Sequence, residues 1–217
     1  TDKEVFKTKN VIIATWWKSF PQIGASDFAL EIAKQFGIET TEIMPGLCGI
    51  ETYEKVENLT GNSIKTTVIL TYKNKKIYQE TWSLLFTHRW LSWPVIFNIT
   101  GALAEYKIQK KIPLNDFNKF FITITINQKN TIKKIIDHFN HQEQAIFTIK
   151  SLRPREEAKV MVGGIDMKEI QPNMESKKVK WLYFLWEALD ITGKTWGYNL
   201  QRCWTSAFTC AKSFCNN

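Results

Sequence analysis

Asp137, His138, His141 and Glu143 form the one dense set of metal-ligating side-chain types in this 217-residue chain. His138 and His141 are three residues apart, so both fall on one face of a helix. A protein-only zinc site needs three or four such ligands, and no further His or matching Cys pair stands nearby. Asn140 frays the helix between them. The set therefore reads as a solvated helix end, and neither metal nor cofactor is expected. The other chemistry-bearing residues are the cysteines Cys48, Cys203, Cys210 and Cys215. Four cysteines suggest disulfides in an exported chain. Leu200, Cys203, Trp204, Ala207, Phe208, Ala211 and Phe214 follow helical spacing, which puts Cys203 and Cys210 about 10.5 Å apart and Cys210 and Cys215 about 7.5 Å apart. A disulfide needs Cα atoms within about 7 Å. A continuous helix thus allows one intrachain bond, which must include Cys48. Two bonds require the helix to end near Cys210.

Cys203 is also the candidate nucleophile. Tyr198-Asn199-Leu200 followed by Cys203 resembles the nucleophile segment of circularly permuted papain-like hydrolases, in which an upstream His activates a Cys at a helix start. The chain departs from that pattern at Arg202, where the family has Asn, and at Asp27, where a His is wanted. Lys159 through Asp166, followed by Pro172, resembles the turn closing the first domain of two-domain glycosyltransferases. There Gly163 and Ile170 replace an Asn and an aromatic. There is no phosphate-cradling glycine loop, no Gly-x-Ser-x-Gly and no His-Glu-x-x-His.

Charge narrows the partners. A net charge of +8 and a pI near 9.2 favour acidic ones: an anionic surface, an acidic protein or a nucleic acid, the last on charge alone. Alternating strand 120–126 carries Thr between its isoleucines, where a sheet that stacks bases would carry aromatics and lysines. No run of eighteen apolar residues is present, so no helical membrane span is expected. The chain begins at Thr1, consistent with a removed signal peptide. Asn58-Leu59-Thr60 and Asn98-Ile99-Thr100 are glycosylation acceptor triplets. Together these favour an exported protein (secreted, periplasmic or surface) over an organellar or intracellular assembly.

The elements that must position these residues read as α+β: a mixed or antiparallel sheet with a β-hairpin and packed helices. Strands are expected at 11–17, 38–44 (stopped by Pro45-Gly46), 68–86 as a hairpin about Lys73–Lys76, 120–126, 145–150 and 158–162. Helices are expected at 26–36 and through Ile132, Ile135, Ile136 and Phe139, and residues 89–99 read as a packed loop or short helix. A helical, aromatic-rich appendage (171–217) follows the body (1–170). Its first helix, 177–190, carries Lys177, Lys178 and Lys180 beside Trp181 and Trp186, the candidate contact residues for a partner or a membrane interface. The resulting expectation is a non-enzymatic interaction protein of unassigned oligomeric state. The alternatives are a Cys203-dependent hydrolase or transferase, and a nucleic-acid-binding subunit.

Overall fold

A computed structural model describes residues 4–15, 24–195 and 197–215. The last two residues of the first expected strand, Trp16 and Trp17, lie outside these.

Alternating apolar residues build the larger core. Strand β4 (Ser63–Tyr72) buries Ile64, Thr66, Val68 and Leu70, while β7 (Phe120–Thr125) buries Phe120, Ile122 and Ile124. Strand β8 (Gln144–Leu152) buries Ala145, Phe147 and Ile149. This period of two puts one face inward. With β3 (Ile50–Thr52), β5 (Lys75–Phe86) and β6 (Trp90–Ser92), they close an antiparallel barrel in the order β3-β6-β5-β4-β7-β8. Closure leaves no free sheet edge. The expected hairpin is β4–β5: Lys73 (φ 50°) and Asn74 (φ 62°) form a two-residue tip of the left-handed kind that matches strand twist. Helix α2 (Pro94–Gln109) packs Val95, Ile96, Ile99 and Leu103 into the same core. Pro94 opens it, as suits a residue without an N–H to leave unpaired.

A second core lies between the chain's two ends. Strand β1 (Val11–Ile13) pairs in parallel with β10 (Leu182–Phe184), drawn from either side of the expected division at 170. Helix α1 (Phe28–Gln35), in the span expected to be helical, lays Ala29 and Ala33 onto this pair. An antiparallel ribbon of β2 (Met44–Gly46) and β9 (Val160–Val162) joins the two cores, with Met44 and Val162 against Ala104 of α2. The short α3 (Lys133–His138) and the long α4 (Tyr198–Cys215) complete the fold.

Three local expectations change. The helix expected at 177–190 is instead β10 flanked by turns. Leu182, Tyr183 and Phe184 are all buried, and a strand covered on both faces has the same continuous apolar run as a buried helix. Pro45-Gly46 lies within β2 rather than ending a strand, Pro45 opposing Met161 in the two-stranded ribbon. Residues 94–109 form one 16-residue helix, where a loop or short helix was expected.

Candidate functional site

In open α/β sheets, ligands enter at the carboxyl ends of parallel strands, where the chain turns to a helix N-terminus. Here β10 ends at Phe184, and the chain passes Trp186, Glu187 and residues 192–195 before Gly197 and the first turn of α4. Two clefts flank that run, with Leu47 in the wall of both. One, about 190 Å³, is lined by Lys159, Val160, Trp186, Glu187, Thr195, Gly197, Asn199 and Leu200. The other, about 110 Å³, is lined by Tyr78, Asn98, Gly101, Ala102, Glu105 and Thr192–Lys194.

The run is held by specific bonds. Asn199 donates from Nδ2 to the Gly193 carbonyl and accepts the Gly193 N–H on Oδ1, both at 2.9 Å. Asn98, buried in α2, accepts the Thr195 N–H at 2.9 Å. Gly197 has φ +94°, and the space a Cβ would take there is open, so backbone is accessible directly before α4. As in any helix, the first-turn amides of α4 lack intrahelical partners and favour an anionic group; Tyr198 and Asn199 there lie against Gly193, and Asn199 and Leu200 line the cleft.

Charges surround Glu187, which lines the 190 Å³ cleft. Glu187 is 4% exposed, close enough to Arg202 to favour its charged form. Burial nonetheless pulls the Arg202 guanidinium below its usual value, and among the described residues its Nε is buried without a hydrogen-bond partner. Burial raises the Asp190 carboxyl against the Thr41 hydroxyl, which donates to it at 2.9 Å. Thr41 also ties down the Gly163-Gly164 turn, accepting from the Gly164 N–H at 3.0 Å. In the wall of the 110 Å³ cleft, Tyr78 donates to Glu80 at 3.1 Å, with the Lys194 ammonium 3.8 Å from the same carboxylate.

The residues singled out from sequence fall variously. Trp186 stands in the cleft wall. Trp181 lies edge-on to Phe36 at 5.8 Å. Lys178 pairs with Glu169 at 3.0 Å and Lys177 donates to the Lys168 carbonyl at 2.7 Å, while Lys180 is exposed. Asn58 is exposed in a short helical turn. Asn98 is buried with its side chain engaged, which removes it as a surface glycan acceptor. His141 lies 3.5 Å from Asp137 on the exposed end of α3, and no metal-holding cluster occurs among the described residues. All four cysteines are free thiols. The Cys203 thiol donates to the Asn199 carbonyl at 3.0 Å and is raised chiefly by burial, with Arg202 opposing. That is the reverse of an activated nucleophile. Sequence reasoning missed Glu187, Gly193 and Gly197, and took Asn199 only as part of a nucleophile segment. Their signal was two glycines closely preceding a long helix.

The chain is 31% identical to a ribosomal RNA dihydrouridine synthase of Haemophilus influenzae, over 96% of this chain and 61% of that protein. It is 29% identical to the protein of the same name in Escherichia coli, over 94% and 60%. A 72-residue stretch, 33% of the chain and 18% of the relative, is 32% identical to the 3-dehydro-bile acid delta(4,6)-reductase of Clostridium scindens. The chain thus spans about 60% of the length of the first two relatives. These relatives overturn the expectation of a non-enzymatic interaction protein, since each is named for a reaction. They overturn the expectation of export as well, because ribosomal RNA is an intracellular molecule, and the free cysteines remove its disulfides. Residues 1–213 match the family model described as the HI0933-like protein Rossmann domain, and the chain belongs to that family.

Proposed function

We propose that this chain forms the larger part of a flavin-dependent reductase acting inside the cell, and that it saturates the ring double bond of uridine in RNA. The observation that carries this reading is the match, over nearly the whole chain, to two proteins named ribosomal RNA dihydrouridine synthase. Dihydrouridine is uridine with the double bond beside its C4 carbonyl reduced. The bile-acid relative is also named for reducing double bonds, conjugated to the 3-keto group. Both reactions deliver hydride to carbon in conjugation with a carbonyl and a proton to its neighbour. A flavin dinucleotide, when bound, would supply that hydride.

The start of α4 suits the phosphate end of such a group, while the cleft beside it, at about 190 Å³, is too small to enclose a whole dinucleotide. The first-turn amides of α4 meet a phosphate's need for donors and positive potential. Gly197 leaves backbone open beside them, and the mutual Asn199–Gly193 bonds keep the run in place. Lys159, on the wall of the same cleft, adds a positive charge. The wider excess of +8 suits a polyanionic substrate. Glu187, in the cleft wall, and Asp190 favour the charged form of Arg202.

The test is nucleoside analysis of ribosomal RNA by mass spectrometry, with and without the full-length gene in the source cell. Loss of dihydrouridine on deletion, restored by the gene, is the expected result. Unchanged dihydrouridine sinks the reading.

A further inference from the structure

Tryptophan occurs at 82, 90, 93, 181, 186 and 204 among the described residues, and half of these six have left-handed backbone: Trp93 at φ 87°, Trp181 at φ 74° and Trp186 at φ 60°. Bulky residues there are outliers, because the Cβ crowds the backbone carbonyl. Trp93 is the most extreme. Its φ of 87° with ψ of 174° belongs to a region used essentially by glycine alone. Other positive-φ residues, among them Asn74 at the hairpin tip, Lys111 just past α2, Lys119 (φ 105°) and Met174 (φ 72°), lie in turns and bends.

Each of the three is fixed by the structure around it. Trp93 joins β6 to α2, with Ser92 paired to Leu85 on one side, and its carbonyl accepts from the Phe97 N–H at 3.1 Å. Trp181 accepts the Val11 N–H at 2.8 Å and donates to Glu175 at 2.8 Å. Trp186 accepts the Leu189 N–H at 3.3 Å and donates to Ser206 at 3.2 Å. Relaxing any of these angles breaks bonds that define β1–β10, α2 or the docking of α4. Two of the side chains are half exposed, Trp93 at 48% and Trp181 at 42%. The composition fits the same picture. The chain has ten glycines, where ordinary usage of about 7% gives about fifteen.

We infer that 93, 181 and 186 are glycine positions, and that the protein made in its source cell carries glycine there. One event changes all three together: a codon read as tryptophan under one genetic code and as glycine under another. With glycine at 186, the wall of the cleft beside α4 retreats. At about 190 Å³ that cleft is smaller than ordinary ligand pockets of about 300–1,000 Å³, and the indole of Trp186 is part of what narrows it. Only the identity of the ligand admitted there rests on the reductase reading.

Tandem mass spectrometry of peptides from the protein isolated from its source cell reads the three positions directly. Glycine at 93, 181 and 186, with tryptophan kept at the helical position 204, is the expected result. Tryptophan at any of the three overturns the shared-codon inference. A second measurement uses the recombinant chain with tryptophan at these positions: Trp93→Gly raises Tm by about 2 °C or more. A lower Tm overturns the assignment at 93. Neither measurement involves flavin or RNA, so both stand apart from the fate of the reductase proposal.

Discussion

Lys107 is the sharpest test of how this fold tolerates charge. It lies in α2 at 0% exposure, its ammonium donating to the Asp116 main-chain carbonyl and lying 4.2 Å from the Phe117 ring centre and 5.3 Å from that of Phe120. Burial lowers its pKa to about 8, with the Asp116 charge working the other way. In the unfolded chain a lysine titrates near about 10.4. Between these values the unfolded chain holds the proton that the folded chain has lost, so stability rises with pH across that window. The shift corresponds to a penalty of about 3 kcal/mol, fully present below pH ~8 and gone above ~10.4. Lys107→Met removes the ammonium and keeps the chain length. It also leaves the Asp116 carbonyl without its donor, at a cost of about 1–3 kcal/mol. The two effects nearly cancel at pH 7. The expected signature is therefore in the slope: urea unfolding from pH 7 to 10.5 shows the parent gaining about 3 kcal/mol relative to the variant. Parallel curves would refute the buried, destabilising ammonium, whatever the offset between them.

Two further outcomes follow from the charges and thiols. Arg153 reaches Glu51 and Glu157 at 2.5 Å each and lies 4.2 Å from the Trp90 ring centre; Arg153→Met costs about 1 kcal/mol at pH 7 after solvent screening. Because its hydrogen bonds hold the Glu157 carboxyl below the ordinary range, that contribution is present above the unfolded pKa and lost as pH falls through the folded one. Denaturant titrations should show a shallower acid limb in the variant, and an unchanged limb contradicts the assignment. Among the thiols, exposed Cys215 reacts first with an alkylating reagent at pH 8. Cys48, 1% exposed and raised to about 12 mainly by burial, reacts only on unfolding; early labelling of Cys48, read by peptide mass spectrometry, would contradict that order.

Where period decides structure, the sequence is legible. Ile122 and Ile124 alternate with threonines, Val68 and Leu70 alternate up to the Lys73-Asn74 tip, and each becomes a barrel strand facing as its spacing requires. Closure of those strands is not written in any one of them. It depends on the short β3 and β6, three residues each, too brief to carry a pattern. The parallel pairing of β1 with β10 is hidden for another reason: its partners are about 170 residues apart, and Leu182–Phe184 is apolar on every side, so strand and buried helix read alike.

The site itself was hidden by the residues that hold its turns. Sequence recognition of a cofactor cleft relies on glycine where a strand turns into a helix, since only glycine accepts the backbone angles and leaves room for the ligand. In this chain the β6–α2 turn carries Trp93 and the turn after β10 carries Trp186, both with positive φ. An aromatic at such a place reads as core or as a contact surface, and the expectation of a binding helix at 177–190 grew from Trp181 and Trp186. The most exposed aromatics among the described residues of the C-terminal segment lie instead on α4, where Trp204 is 74% and Phe208 70% exposed. Its opposite side places Cys210 against Tyr183 and Leu185, and Phe214 against Tyr183. Helix α4 therefore anchors on β10 through one face while its first turn borders the cleft, which makes the packing of Tyr183 and Cys210 part of what aims those amides.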